Sequence, residues 1–228
     1  MSFFEKLKRK IVFLYRCHIL KEPFLVEAAR WFKDKGDETL RLDYPLNQES
    51  IVFDVGGYHG DFAAAIYAKY NCKIYVFEPV PEFYQLCVKR FKGNQKIVCL
   101  NFGLSSDEGF LNISMAENAS SFASPHAQGA VQKVQLRSVT AFIRELGITQ
   151  IDLMKINIEG GEFDVIPSII ESGDIKKVQH LQVQFHNFVD QAKMLRDAIR
   201  VNLTSTHKEI WNYEFVWESW DLKGLNVE

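Results

Sequence analysis

The chain lacks any uninterrupted apolar run near the roughly 20 residues that cross a bilayer. No small-residue cleavage site follows its basic N-terminus, so neither a membrane span nor a secretion signal is expected. Its four cysteines, Cys17, Cys72, Cys87 and Cys99, form no Cys-x-x-Cys pair and no Cys/His cluster at zinc spacing. They read as small buried hydrophobes of a reducing compartment, and a cytoplasmic protein is expected. A surplus charge is missing too. The 27 Lys and Arg against 29 Asp and Glu leave a net charge of -2, which gives no pull toward nucleic acid. No Gly-x-x-x-x-Gly-Lys-Ser/Thr occurs, so a phosphate-cradling P-loop is excluded. Three glycosylation sequons begin at Asn112, Asn118 and Asn202 and are chance matches without a secretion signal. There is no internal repeat and no low-complexity linker.

What is present is core material. Hydrophobic residues make up 47% of the 228 residues, which suits one globular domain with a modest decoration. Residues 1–50 are expected to be an N-terminal helical extension, and residues 51–228 the domain itself. At the start, Lys6, Lys8, Arg9, Lys10 and Arg16 alternate with Phe3, Phe4, Leu7, Ile11, Phe13 and Leu14. That pattern predicts a basic amphipathic helix that caps the core, with peripheral contact to anionic lipid as the alternative.

From Ile51 onward, short apolar runs alternate with helical patterns, the mark of βαβ units and a mostly parallel sheet covered by helices on both faces. Strands are predicted at 51–55, 73–77, about 96–102, 151–158 and 178–185. Phe62, Ile66 and Tyr70 mark the first helix. The second starts near Pro81 and ends before Gly93. Val139, Phe142, Ile143 and Leu146 mark a third, closed by Gly147. Phe163, Ile166 and Ile170 mark a fourth, which stops at Gly173, and Leu195 and Ile199 a last one. The stretch 103–131 predicts either a hairpin or a functional loop. The aromatic alternation from Trp211 to Trp220 predicts a final strand or hairpin packed on the sheet edge, in preference to a sugar-stacking platform.

The first strand runs into Asp54-Val55-Gly56-Gly57-Tyr58-His59-Gly60. In open α/β sheets, ligands bind at the carboxyl ends of such strands. Gly56 and Gly57 are expected to let backbone approach a ligand, and Gly60 to open the next helix. Strand two ends at Phe77-Glu78-Pro79, with Glu78 18 residues beyond Gly60, placed to accept both hydroxyls of a ribose. Two carboxylates ending buried strands, Asp54 and Glu78, cost desolvation unless something satisfies them. The dinucleotide fingerprint Gly-x-Gly-x-x-Gly would need its first glycine at Val55, so an NAD-dependent oxidoreductase is the weaker reading. Asp-x-Gly-x-x-x-Gly fits a cationic amino-acid nucleoside instead.

These blocks resemble the FkbM family of S-adenosylmethionine-dependent methyltransferases over roughly Ile51 to His186. The resemblance rests on FDVGGYHGDF at 53–62, VFEPVPEFY at 76–84, NFGLSSDEG at 101–109 and IDLMKINIEGGEFDVI at 151–166. It implies a class I, Rossmann-like methyltransferase fold and O-methylation of a hydroxyl, as on a sugar of a surface polysaccharide or its nucleotide-linked precursor. It also implies S-adenosyl-L-methionine as cofactor, with Asp54, Gly56, Gly57 and Gly60 at its methionine and ribose portions. Glu78 is then at the ribose hydroxyls, and Asn101 and Leu104 at the adenine. The family's third block carries an aspartate where this chain has Asn157, and Gln184 stands where a glutamate is often found. Both changes weaken the case for a divalent metal, and a non-catalytic S-adenosylmethionine-binding protein is a further alternative.

On the acceptor side, the ends of strands four and five bring Lys155, Asn157, Glu159, His186 and Asn187 into the neighbourhood of the donor. Period two places Lys155, Asn157 and Glu159 on one side if the strand continues that far. His186 is the preferred general base because its ordinary pKa lies near working pH. Glu159 and Asn157 are expected to position the acceptor, and Glu162 to be a helix-start acid. His126 in the long loop reads as a solvated histidine. A weak metal held by Asn157, Glu159, His186 and Asn187 is a minor alternative. The sequence leaves the oligomeric state open.

Overall fold

A computed structural model describes residues 5, 8, 12, 15–17, 19–116, 119–121 and 130–224. The strands β1 (Ile51–Val55), β2 (Lys73–Phe77), β3 (Ile97–Leu100), β8 (Ile151–Ile156) and β9 (Val178–Val183) run parallel. β11 (Trp217–Leu222) joins β9 antiparallel and β10 (His207–Tyr213) closes the edge. The seven-stranded order is β10-β11-β9-β8-β1-β2-β3. The chain reverses its direction of winding between β1 and β8, and that switch point is where an open parallel sheet has a crevice.

Helices cover both faces: α1 (Pro23–Lys33), α2 (Asp61–Tyr70), α3 (Pro81–Arg90), α4 (Val139–Glu145), α5 (Glu162–Glu171) and α6 (Ala192–Leu203). On one face Phe53, Val55, Phe77, Met154 and Ile156 pack against Val139, Ile143, Val165 and Ile169. On the other, Val52, Ile74, Val76 and Leu153 pack against Phe62, Ala63 and Ile66, together with Tyr44 and Leu46 from before the sheet. Each such apolar side chain contributes about 1.5–3 kcal/mol on full burial.

The described residues of the stretch 103–131 belong to a hairpin system. β4 (Gly103–Ser105), β5 (Gly109–Ala116), β6 (Ala119–Ser121) and β7 (Ala130–Ser138) form a second sheet in the order β4-β7-β5-β6. Its inner side chains Ile113 and Val134 are buried with Val80, just past the tip of β2. His126 lies outside the described residues, as do most residues of the N-terminal segment; of the latter, Tyr15, Ile19 and Leu20 are exposed and Cys17 is buried.

Some predicted bounds shift. The third strand ends at Leu100 because the chain then turns into the second sheet. The fourth ends at Ile156 and the fifth at Val183, so Asn157, Glu159 and His186 stand on turns. The period-two argument therefore does not extend to Glu159. The expected Phe163, Ile166 and Ile170 all pack on the core, Phe163 and Ile170 half-buried, and the most buried face of α5 is Glu162, Val165, Ile166 and Ile169. A buried glutamate replaces an apolar residue there because its carboxylate has partners, described below. In the tail, Trp211 and Tyr213 pack on Trp31, and Trp220 is buried. Those rings fill the core side of the edge.

Candidate active site

The tips of β1, β2 and β8 enclose a cavity of about 220 Å³. One wall is apolar: Phe77, Val80, Leu104, Ile113 and Ile158. Glu78, Asn157 and Glu159 supply the polar groups, and Tyr58 stands at the rim. Leu104 and Ile113 come from the second sheet, so the hairpin system completes the pocket that the parallel sheet leaves open.

The turn after β1 is built for close packing. Gly56 has φ of 86°, and a Cβ there would lie 1.9 Å from the Asn157 carbonyl oxygen. Only glycine meets both demands. At Gly57 a Cβ would lie 2.3 Å from Val76 Cγ1, so this glycine is required by the protein's own core. Gly60 caps α2 in the left-handed region. Tyr58 and Glu159 are also left-handed, with φ of 49° and 51°. Two non-glycine residues in that region, each lining the same cavity, hold local strain of about 1–3 kcal/mol apiece.

Glu78 is 5% exposed, and its carboxylate accepts from Tyr58 N–H at 2.7 Å and Val80 N–H at 2.9 Å. Burial pushes its pKa up to about 7, against the opposing pull of those two amides. A carboxylate has about four acceptor positions, so further hydrogen bonds remain open to a ligand. Asn157 Oδ1 is buried with no hydrogen-bond partner, an acceptor that costs free energy until something donates to it.

Beyond the cavity lies an acid–imidazole–acid cluster. Glu162, fully buried, accepts from His186 N–H at 2.9 Å and pairs with His186 Nδ1 at 2.9 Å through the same oxygen. Its other oxygen accepts from Gly160 N–H at 2.9 Å. A carboxylate has no proton to give, so Nδ1 carries the hydrogen and Nε2 is left with the lone pair. Nε2 lies 3.6 Å from Glu159 Oε1, beyond hydrogen-bond reach. Burial alone would lower the pKa of His186, but the hydrogen bond and charge of Glu162 with the charge of Glu159 outweigh it and raise the value. Burial raises the pKa of Glu159, with His186 opposing and Glu162 adding.

A model of the methyltransferase FkbM domain matches residues 54–216. The chain belongs to the FkbM methyltransferase family. Its fold is that of the class I methyltransferases. The FkbM methyltransferase from Methylobacillus flagellatus KT superposes with a TM-score of 0.51 at 11% identity, over 78% of this chain and 44% of that one. This chain thus spans less than half the length of that protein. TrmK of M. capricolum, solved with S-adenosyl-homocysteine, gives a TM-score of 0.44 at 12% identity over 78% of this chain and 65% of that one. Fibrillarin of Aeropyrum pernix, with natively bound S-adenosyl-L-methionine, gives 0.45 at 8% over 77% and 67%. No curated protein sequence matches significantly.

In this FkbM chain the expected site residues divide into two groups. Gly56, Glu78, Leu104, Asn157 and Glu159 line the cavity. Gly57 and Gly60 shape the turn behind it. Asp54 does not line the cavity: it is buried in an ion pair with Lys155, Nζ to Oδ1 2.9 Å. Asn101 also lies off the cavity, because its amide donates to the Glu78 and Pro79 carbonyls at 3.0 and 3.2 Å and so ties the β2–α3 turn. His186 stands behind Glu159 and is absent from the lining. Among the described residues no group of three or more His, Cys, Asp and Glu is arranged to hold a metal, and no helix is long and apolar enough to cross a membrane. Two lining residues were not foreseen: Ile113, for which no motif exists, and Val80, which stands inside the second family block. Sequence reasoning underrated Glu162, whose signal was the acid five residues past Asn157 in the third family block.

Proposed function

We propose that the protein is an S-adenosylmethionine-dependent O-methyltransferase acting on a sugar hydroxyl, in a surface polysaccharide or its nucleotide-linked precursor. The observation that carries this reading is the cavity at the switch point, with an acid on one side, an unpartnered amide oxygen on another and an apolar wall between. These residues fit the donor. Glu78 retains acceptor capacity for a ribose diol, Leu104 and Ile113 offer an apolar face to a purine, and Asn157 Oδ1 offers an acceptor to an ammonium group. When bound, the donor supplies an electrophilic methyl group on a sulfonium.

The chain's own residues then have two tasks, alignment and proton removal. Glu159, on the cavity wall, accepts the acceptor's hydroxyl hydrogen bond and fixes its approach. That proton passes by way of Glu159 to His186 Nε2, 3.6 Å behind the Glu159 carboxylate, and Glu162 holds the imidazole in the required tautomer and orientation. An imidazole backed by a buried carboxylate suits an alcohol, whose proton must leave as the new C–O bond forms. The net charge of -2 favours a small-molecule or glycan acceptor over a nucleic acid. The carbohydrate class rests on family analogy. A cytoplasmic location is part of the proposal, supported by cysteines that are all free thiols.

Calorimetric titration with S-adenosylmethionine and with NAD, followed by mass spectrometry of nucleotide-sugar and glycan acceptors, tests the reading. Donor binding and a mass gain of one methyl are expected. Binding of NAD in its place overturns the donor assignment. Donor binding with no methylated product from any acceptor points to the non-catalytic alternative.

A further inference from the structure

Four strands place one polar residue each at the same level of the sheet. Asp54 of β1 is the register partner of Lys155 in β8, Lys155 of Gln182 in β9, and Gln182 of Ser219 in β11. All four are buried, with exposures of 0, 4, 0 and 1%. Such a row is costly inside a sheet, and an apolar row of similar volume is as stable or more so. What the row holds is therefore informative.

At one end it holds the N-terminal segment. Gln182 Nε2 donates to the Arg41 carbonyl at 3.0 Å and to Tyr44 Oη at 2.9 Å, and Tyr44 Oη pairs with Ser219 Oγ at 3.1 Å. Arg41 Nε donates back to Gln182 Oε1 at 3.2 Å. At the other end it holds the turn of the cavity. Lys155 Nζ donates to Asp54 Oδ1 at 2.9 Å and to the Gly56 carbonyl at 2.7 Å. The peptide that follows Gly56 is thus fixed from both sides: Gly57 N–H is taken by the Phe77 carbonyl at 3.1 Å and the Gly56 carbonyl by an ammonium. Phe62, in the first turn of α2, lies against the same cation, 5.7 Å from Nζ to the ring centre.

We propose that Lys155 is a positioning residue of the donor site. Its ammonium holds the Gly56 carbonyl and so fixes the turn that lines the cavity, while Asp54, off the cavity lining and with its second oxygen Oδ2 buried without a partner, serves through Oδ1 as the counter-ion of Lys155 and makes no donor contact. The motif's leading acid then acts on the donor only through the lysine 101 positions later. This inference rests on the reading of the cavity as the donor site.

Three variants test it, with donor KM, acceptor KM, kcat and melting temperature measured for each. Lys155→Met alone leaves a buried unpaired carboxylate and is expected to unfold readily, so the informative form is Asp54→Asn/Lys155→Met, which removes both charges. It should melt within a few degrees of wild type, raise donor KM by about tenfold or more, and leave acceptor KM and saturated kcat within about threefold. Asp54→Asn alone leaves Lys155 bonded to the Gly56 carbonyl but without its counter-ion, so it should melt lower than wild type while its folded form keeps donor KM within about threefold. Gln182→Leu, on the same row but without a bond to the turn, should lower the melting temperature and leave donor KM unchanged. An unchanged donor KM in a folded double variant overturns the role of Lys155. So does a rise in Asp54→Asn or Gln182→Leu equal to that of the double variant. Wild-type protein that binds no S-adenosylhomocysteine removes the functional reading itself, which is a separate result.

Discussion

Replacing Glu78 by alanine separates ligand binding from fold stability, because the ionised carboxylate is a net cost to the free protein. Raising its pKa from 4.5 to about 7 corresponds to a net cost of about 3 kcal/mol for the ionised form. That shift already includes the opposing pull of the hydrogen bonds from the Tyr58 and Val80 amides. The alanine variant sheds the net cost, so where Glu78 is ionised it should be close to wild type in stability or above it, by up to about 3 kcal/mol. Donor affinity moves the other way, and it should fall by about 1–3 kcal/mol, roughly 5- to 150-fold. The pH dependence gives a second sign. A carboxyl whose folded pKa is raised contributes stability that is complete below 4.5 and lost as pH rises through about 7. Wild type should therefore lose stability across that window relative to Glu78→Ala. Calorimetric titration with S-adenosylhomocysteine and melting curves from pH 4.5 to 8 are the assays. An unchanged affinity refutes the assignment of Glu78. A loss of affinity that merely follows a fall in melting temperature refutes the separation of binding from stability.

His186→Ala should lower turnover by about 100- to 10,000-fold with donor affinity nearly intact. Normal turnover in that variant ends the base assignment. Activity of wild type should rise with pH through the folded pKa of His186, which is held above 6.5, because only the neutral imidazole accepts a proton. Glu162→Gln removes the charge that lifts that pKa, so the rise should move to lower pH; a pH–rate profile that stays in place contradicts the dyad. Gly57→Val should destabilise the domain by about 1–3 kcal/mol or more, since its side chain meets Val76 in the core. A variant that melts like wild type refutes that packing argument.

Much of the fold was legible because the strands are continuous apolar runs and the helices have a clear period. Gly93, Gly147 and Gly173 then follow three of the helices near the predicted places. The nucleotide-type turn was legible as well, but for a partly different reason from the one the sequence suggests. Gly57 has Val76 packed against it, and neighbours 19 residues apart in sequence give no local signal. Asp54 illustrates the same limit. A carboxylate at a strand tip reads as a ligand group, and the cation 101 positions later that is its register partner leaves no signal in the local sequence. Glu162 was hidden by its position in the first turn of a helix, where an acid needs no further explanation. The apolar wall from Ile113 depends on how a second sheet docks on the first, which no periodicity encodes.

A crystal structure with S-adenosylhomocysteine tests the central claim most directly. The account predicts density in the cavity between β1, β2 and β8, with the ribose hydroxyls on the Glu78 carboxylate, the purine against Leu104 and Ile113, and the amino group within reach of Asn157 Oδ1. Density at another place, or the nucleoside bound in this cavity with Glu78 turned away from it, would contradict the account.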